Sequence, residues 1–328
     1  MKTVFVTGGS GFVGKRLIHR LTTQNMRVVA LVRSETAAGA VSKEGAEPCF
    51  ADLLDQQAIT AGMRGCDTVF HIAGHLSEWD RYEAFYTANV TGTRVMLAAA
   101  KTAGVATFVA AGAAAVVMGQ PVPMTNVSED APLQAPSWAP YIKTKAEADR
   151  LVRQANSSAL RTVVVRPALI WGEGMPMLNE IVAAAEGGRF ALPDGGRARM
   201  STSHVDNVVE CLILAAEKGR GGEAYHVADG QDGTLKAIMT DLLATRGIPP
   251  INRSAPFGFA WRMAALMEGI WRTFRIRSKP PITRQTLRMI GVDFTLDLDK
   301  ARRDLGYMAV TGWADGIDRM RGAAQPTR

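Results

Sequence analysis

Apolar positions along the chain follow two rhythms. Short runs rich in β-branched residues, at 3–7 (TVFVT), 27–32 (RVVALV), 67–73 (DTVFHIA), 106–111 (ATFVAA) and 162–166 (TVVVR), read as strands. Between them, residues 14–24, 56–63, 82–103 and 139–155 carry helical spacing. Strands that alternate with helices and are apolar on both faces predict a doubly wound parallel α/β sheet, covered on both sides. After Trp171 the rhythm changes. Residues 171–177 and 191–200 are rich in Gly and Pro and predict loops around one helix at 178–186. A helix at 204–218 and a strand at 222–228 follow, and from Gly230 the pattern is mainly helical, with Pro breaks at 249–250 and 280–281. The expected organisation is a sheet domain from residues 1–175 and 201–229, with a smaller, mostly helical C-terminal lobe from 176–200 and 230–328.

With 328 residues, 47% hydrophobic and 21% charged, the chain can bury a large core and is not a disordered tail. The net charge of +7 is unevenly placed: Arg253 to the C-terminus holds 14 Lys and Arg against 7 Asp and Glu, so the whole excess lies there. An anionic surface is therefore open as a partner of that region only. Aromatics interleave with arginines there, but no nucleic-acid-binding motif accompanies them, so no nucleic acid is expected. Cys49, Cys66 and Cys211 form no CxxC pair and no metal-ligand spacing; they read as buried thiols in a reducing compartment, with no metal. The N-terminus lacks the apolar stretch of a signal peptide. The longest apolar run, Val105–Gly119, is short of the ~20 residues a membrane span needs. A soluble cytoplasmic protein is expected.

The first strand runs into Gly8, Gly9, Ser10, Gly11, Phe12, Val13 and Gly14 and then a helix. Glycines at this spacing let the chain turn sharply and let its backbone approach a pyrophosphate, with the helix N-terminus facing the phosphates. A strand, a glycine loop and a helix in that order predict dinucleotide binding in a Rossmann-type sheet. After the second strand, where a carboxylate would hold the ribose hydroxyls of NAD, stands Val32-Arg33-Ser34. A guanidinium suits a 2′-phosphate, so Arg33 favours NADP, with NAD left open; in the plainer reading it is a solvated arginine at a strand end.

The chain resembles the extended short-chain dehydrogenase/reductase family, within the NAD-dependent epimerase/dehydratase superfamily, and in particular its 3β-hydroxysteroid dehydrogenase and dihydroflavonol reductase-like branch. The resemblance rests on TGGSGFVG (7–14), Asp52-Leu53 after the third strand, HIAG (71–74), Asn89 in NVTGT (89–93), YIKTK (141–145), RPALIWGEG (166–174) and DLDKARRDLGY (297–307). It implies that Asp52 and Leu53 lie near the adenine and that His71–Gly74, with Ala73 and Gly74, run along the cofactor. It also implies that the loop from Pro167 borders substrate and nicotinamide, and that Lys145 holds the nicotinamide ribose.

Tyr141 and Lys145 are four apart on a predicted helix, hence on one face. A phenol has a pKa near ~10, and an adjacent ammonium lowers it, so Tyr141 is the candidate acid/base and Lys145 its activator. The plainer reading is a surface helix pair. At the third catalytic position, where the family carries Ser or Thr, this chain has Ala113, and residues 108–124 contain no hydroxyl side chain. Losing a donor to a developing oxyanion typically costs ~10²–10³ in rate. Three explanations compete: another donor such as Thr125, Ser128, a backbone N–H or a water; an easy substrate; or a chain that binds NADP without turnover.

His204 and Asp206 read as structural at a helix start, and His19, His75 and His226 have no partner spacing. Glu78 and Asp80 flank Trp79 in a loop where the family often contacts substrate. Phe257–Arg277 places Phe259, Met263, Leu266, Met267, Ile270, Trp271 and Phe274 at helical spacing beside Arg262, Arg272, Arg275 and Arg277, with no carboxylate from Gly269 to Val292. Such a stripe packs on the parent domain, forms a lid over an apolar substrate, or lies on an anionic membrane. The function expected is an NADP(H)-dependent oxidoreductase interconverting a secondary alcohol and a ketone on a hydrophobic, steroid- or polyketide-like small molecule. The alternatives are a nucleotide-sugar epimerase or dehydratase and, in another class, a non-catalytic NADP-binding protein. A homodimer through two helices of the sheet domain is left open by the resemblance.

Overall fold

A computed structural model of the chain describes residues 1–188, 190–276 and 278–324, so Arg277 and the last residues of the expected C-terminal lobe lie outside the described residues. Seven parallel strands form the main sheet in the spatial order β3 (Glu47–Phe50), β2 (Arg27–Val32), β1 (Thr3–Thr7), β4 (Thr68–His71), β5 (Thr107–Ala111), β7 (Arg161–Pro167) and β11 (Glu223–Val227). This is the expected Rossmann-type doubly wound sheet, and the order reverses between β1 and β4. Its strands are apolar on both faces because each face is covered. Val4 and Val6 of β1, Phe70 of β4 and Val163 and Val165 of β7 point into one core with α1 (Phe12–Thr23) and α8 (Val205–Lys218). Their neighbours Phe5, Val69 and Val164 point into the other, with α3 (Gln56–Met63) and α5 (Gly92–Ala103).

Some elements escape the apolar rhythm. Edge strand β3 reads EPCF and is mostly exposed, with its proline where an edge tolerates one. Helix α2 (Glu35–Lys43) is built largely of small residues and starts at Ser34, whose hydroxyl accepts from Ala37 N–H. The helix expected over 82–103 is α4 (Tyr82–Tyr86), one wide π-turn at Thr87–Thr91, and α5. Residues 191–200, expected as a loop, contain β9 (Leu192–Pro193) and the first residues of β10 (Arg199–His204). Strand β10 belongs to a second sheet of order β12 (Asp232–Thr234), β10, β14 (Phe294–Leu296), β6 (Met124–Val127), with β8 (Leu169–Trp171) also on β10; β9 pairs with β13 (Ser254–Ala255). Except for β10 these strands are two to four residues long, too short to show a period.

Helices α6 (Pro140–Gln154), α7 (Leu178–Glu186), α9 (Leu235–Ala244), α10 (Phe257–Thr273), α11 (Arg284–Ile290), α12 (Asp299–Leu305) and α13 (Trp313–Ala324) complete the fold. His204 is the N-cap of α8, its Nδ1 accepting from Asp206 N–H at 3.2 Å, which bears out the structural role expected of it.

Candidate active site

The glycine loop is forced by close approach. Gly8 has φ +69°, and a Cβ there would lie 2.8 Å from Ala73 N and 3.0 Å from the Ile72 carbonyl carbon. A Cβ on Gly14 would run into the Gly8 carbonyl oxygen. The loop is thus pressed between the start of α1 and the chain leaving β4, at the point where strand order reverses. The N-cap of α1 is Gly11, with no side-chain cap and no acid in the first turn, so the helix's first N–H groups face outward unclaimed by side chains. Ser10 and Gly11 are exposed, Phe12 and Val13 half-buried. A cradle of backbone with free donors fits a dinucleotide's pyrophosphate.

Strands β2 and β3 pair through Val32 and Phe50, so they carry Arg33 and Asp52 out at the same edge of the sheet. Arg33 is exposed, and among the described residues it makes no ion pair. The Asp52 carboxylate accepts from Leu54 N–H at 2.9 Å, which fixes the turn, and Leu53 packs against Gly92.

At the end of β4, His71 is buried between two hydroxyls, with Nδ1 2.8 Å from Thr7 Oγ1 and Nε2 3.1 Å from Thr93 Oγ1. Thr93 donates to the Asn89 carbonyl oxygen at 2.6 Å, and Thr7 accepts from Ala73 N–H. The network therefore closes with Nε2 protonated and Nδ1 accepting, a neutral imidazole. Burial pushes its pKa down to about 3. Asn89, in the π-turn, accepts from His75 N–H at 2.7 Å and donates to the His75 carbonyl and to Thr144 Oγ1. Asn89 thereby ties the loop of Ala73 and Gly74 to α6.

Tyr141 and Lys145 lie one turn apart on α6, as their spacing requires, the tyrosine buried and the lysine half-buried. Lys145 Nζ donates to the Ala111 carbonyl oxygen at 2.6 Å, and Nζ would be 3.7 Å from a Cβ on Gly74. Burial lowers the Lys145 pKa to about 8, against a smaller upward pull from Asp149. Tyr141 is 9% exposed, and burial pushes its pKa up to about 12. This is opposite to the downward shift expected from the lysine: desolvation wins, and in this state the phenol keeps its proton at neutral pH.

Ala113 is buried and extended, followed by a short turn at Ala114–Val117. Thr125 lies exposed on β6 of the second sheet, and among the described residues neither it nor Ser128 makes a side-chain hydrogen bond. Pro167 ends β7 opposite Val227. Before it, Arg166 is fully buried and holds Asp149 in a bidentate pair at 2.7 and 2.9 Å, which fixes the far end of α6 against the sheet.

The C-terminal elements supply a residue that the sequence pattern did not flag. Gln285 Oε1 accepts from Tyr141 N–H at 3.2 Å, an orphan donor in the first turn of α6, and its Nε2 donates to the Ser77 carbonyl at 3.1 Å. Lys279 pairs with Glu78 at 3.1 Å and Glu180 at 2.6 Å, pinning the same loop to α7. A small cavity here is lined by Trp79, Trp138 and Gln285 together with the charged Glu78, Asp80, Glu268 and Arg272. Trp138 packs edge-on against Trp261 of α10, and the Arg272 guanidinium sits 5.3 Å from the centre of the Trp79 ring.

The NAD dependent epimerase/dehydratase family matches residues 4–228, from the first strand through the last strand of the main sheet. The chain belongs to that family. Within it, the chain is 41% identical over 320 residues to a 4-hydroxy-2-methyl-3-oxo-4-farnesyl-3,4-dihydroquinoline-1-oxide ketoreductase of Stigmatella aurantiaca, covering 97% of this chain and 96% of the relative. It is 30% identical over 332 residues to a decarboxylating sterol-4-alpha-carboxylate 3-dehydrogenase of Dictyostelium discoideum, covering 98% and 100%. Such relatives place the chain in the family's 3β-hydroxysteroid dehydrogenase-like branch. UDP-glucose 4-epimerase of Thermotoga maritima, solved with UDP-glucose, shares the fold at a TM-score of 0.78 with 18% identity over 98% of both chains. The fold alone is thus shared with a nucleotide-sugar enzyme.

Proposed function

We propose that this protein is an NADP(H)-dependent ketoreductase that interconverts a ketone and a secondary alcohol on a hydrophobic small molecule. The observation that carries the reading is the buried Tyr141 one helical turn from Lys145, whose Nζ is held on the Ala111 carbonyl at the end of β5 and faces Gly74 after β4. A neutral phenol donates a proton to a carbonyl oxygen as that oxygen becomes an alkoxide. Lys145, anchored on the Ala111 carbonyl, places positive charge beside the same strand end. When bound, the nicotinamide exchanges the hydride at the carbonyl carbon. Arg33, exposed and without an ionic partner among the described residues, would take the 2′-phosphate of NADP. The small cavity beside the start of α6 mixes Trp79 and Trp138 with Glu78, Asp80, Glu268 and Arg272, so the substrate class rests on the relatives and not on this cavity. Relatives named for a farnesylated quinoline oxide and for a sterol carboxylate support that substrate class over a nucleotide sugar.

Two measurements test the reading together: titration with NADPH and NADH on the wild type and on Arg33→Ala, and turnover across lipophilic ketones with NADPH. We expect NADPH to bind more tightly, to lose about tenfold or more in Arg33→Ala as a charge-assisted contact disappears, and to be consumed with a lipophilic ketone. Preferential NADH binding would overturn the cofactor assignment. Cofactor binding without turnover, unchanged by Ala113→Ser, would favour a non-catalytic NADP-binding protein.

A further inference from the structure

Helix α10 carries apolar groups on two faces. Its buried stripe is Ala260, Ala264 and Glu268, each four residues apart, with Phe257 and Trp261 partly buried beside them. The opposite face carries Phe259 (63% exposed), Leu266 (57%) and Ile270, and continues beyond the helix to Phe274 (73%) and Ile276. Large apolar groups thus stand on both sides of the helix: Phe257 and Trp261 pack inward, and a second row faces water, which burial alone does not select. Scattered exposed apolar residues are ordinary, but a continuous row on one helix marks a contact surface.

Charge decides what the surface contacts. Arg262 and Arg275 are exposed along the same segment, and among the described residues neither makes an ion pair, whereas Arg272 turns inward over Trp79. Glu268, the one carboxylate of α10, points inward, where both its oxygens accept from Arg284 at 2.7–2.9 Å. Asp194, at the other end, is engaged on Phe257 N–H. The outer face is therefore apolar with a basic margin and no carboxylate of its own. At 17 residues, α10 is not long and apolar enough to cross a membrane, as holds for every helix among the described residues. A second copy of the chain would bring the same arginines against each other, whereas an anionic lipid surface complements them.

We propose that α10 and Phe274–Ile276 lie on an anionic bilayer surface, with Phe259, Leu266, Ile270 and Phe274 in the acyl boundary and Arg262 and Arg275 among the headgroups. On its inner side Glu268 and Arg272 line the small cavity that Pro140 closes at the start of α6. One helix thus joins the lipid surface to the first turn of the helix that carries Tyr141.

The test is co-sedimentation of the full chain with phosphatidylcholine vesicles, with and without phosphatidylglycerol. Binding is expected to the anionic vesicles, to weaken with added NaCl, and to fall by about tenfold or more in Leu266→Glu/Phe274→Glu. Arg262→Glu/Arg275→Glu is expected to remove the preference for phosphatidylglycerol. These side chains are exposed, so Tm and NADPH binding should stay at wild-type values, separating this outcome from misfolding. Absence of binding to anionic vesicles, or binding that the first variant leaves intact, overturns the proposal. So does a wild-type dimer that the first variant dissociates while vesicles are ignored, which would make the face a homotypic interface.

Discussion

Lys145 is tethered to Ala111: its Nζ donates to the main-chain oxygen of the last residue of β5, two residues before Ala113. The side chain expected to tune Tyr141 is thus spent on the strand end where the family places its hydroxyl donor. With the phenol pushed up to about 12 and the ammonium down to about 8, the lysine loses its proton before the tyrosine, the reverse of their order in solution. For ketone reduction kcat/KM should be flat through neutral pH and fall above about pH 8, as Lys145 loses its proton. Tyr141→Phe should cost about 10²–10⁴ in rate while NADPH still binds. A pH–rate profile of Lys145→Met that kept the wild-type limb would show that another group titrates there.

Ala113→Ser tests the missing donor. Ala113 is extended and buried next to the loop that carries the strand end, so serine adds one hydroxyl without changing backbone shape. A donor to the developing alkoxide is worth about 10²–10³ when fully aligned. We expect kcat to rise by about tenfold or more, read in steady-state reduction of a lipophilic ketone. No rise in an active enzyme would mean that a backbone N–H or a water already fills the role.

Acid should destabilise the fold before it reaches ordinary carboxylates. His71 and His226 are buried and neutral, with pKa values pushed down to about 3 by desolvation. Between pH 6.5 and 3 the unfolded chain binds protons that the native chain refuses, so stability is full above pH 6.5 and declines as pH falls. The two contribute roughly 2 kcal/mol each by pH 5. Glu129, whose carboxyl burial raises, works in the opposite sense and offsets part of the loss. Thermal melts at pH 7 and pH 5 should show a marked drop in Tm, reduced in His71→Gln.

Arg288 on α11 is fully buried, yet among the described residues its Nε and Nη1 have no hydrogen-bond partner, and Nη2 reaches only the Val122 carbonyl and Met124 sulfur, at 3.4 and 3.2 Å. Burial lowers its pKa to about 10. Replacing such a charge by an apolar chain of similar length is favourable, so Arg288→Met should stabilise by about 1–3 kcal/mol. Denaturant midpoints would measure it; a lower midpoint would mean that an anion compensates the guanidinium.

Much of this was legible along the chain because it is local. The glycine loop, the Tyr141–Lys145 face and the long buried strands each depend on residues a few positions apart, where spacing alone determines geometry. Edge strand β3 and the short strands of the second sheet were not legible: too brief for a period, they form because partners distant in sequence supply the hydrogen bonds. Gln285 was equally hidden, since nothing in RQTL marks it as the acceptor for Tyr141 N–H. The pKa of Tyr141 went the other way for a related reason. Spacing brings an ammonium into reach, but only packing determines how much water is removed from the phenol.

The Gln285 clamp has a consequence for how the protein comes into being. It joins the backbone of Tyr141 to a glutamine 144 residues further on, and through Ser77 to a loop still more distant. A chain emerging from the ribosome completes its dinucleotide cradle early, yet the phenol is set in place only when nearly the whole polypeptide has been made. A copy that ended before Gln285 would lack the acceptor for Tyr141 N–H.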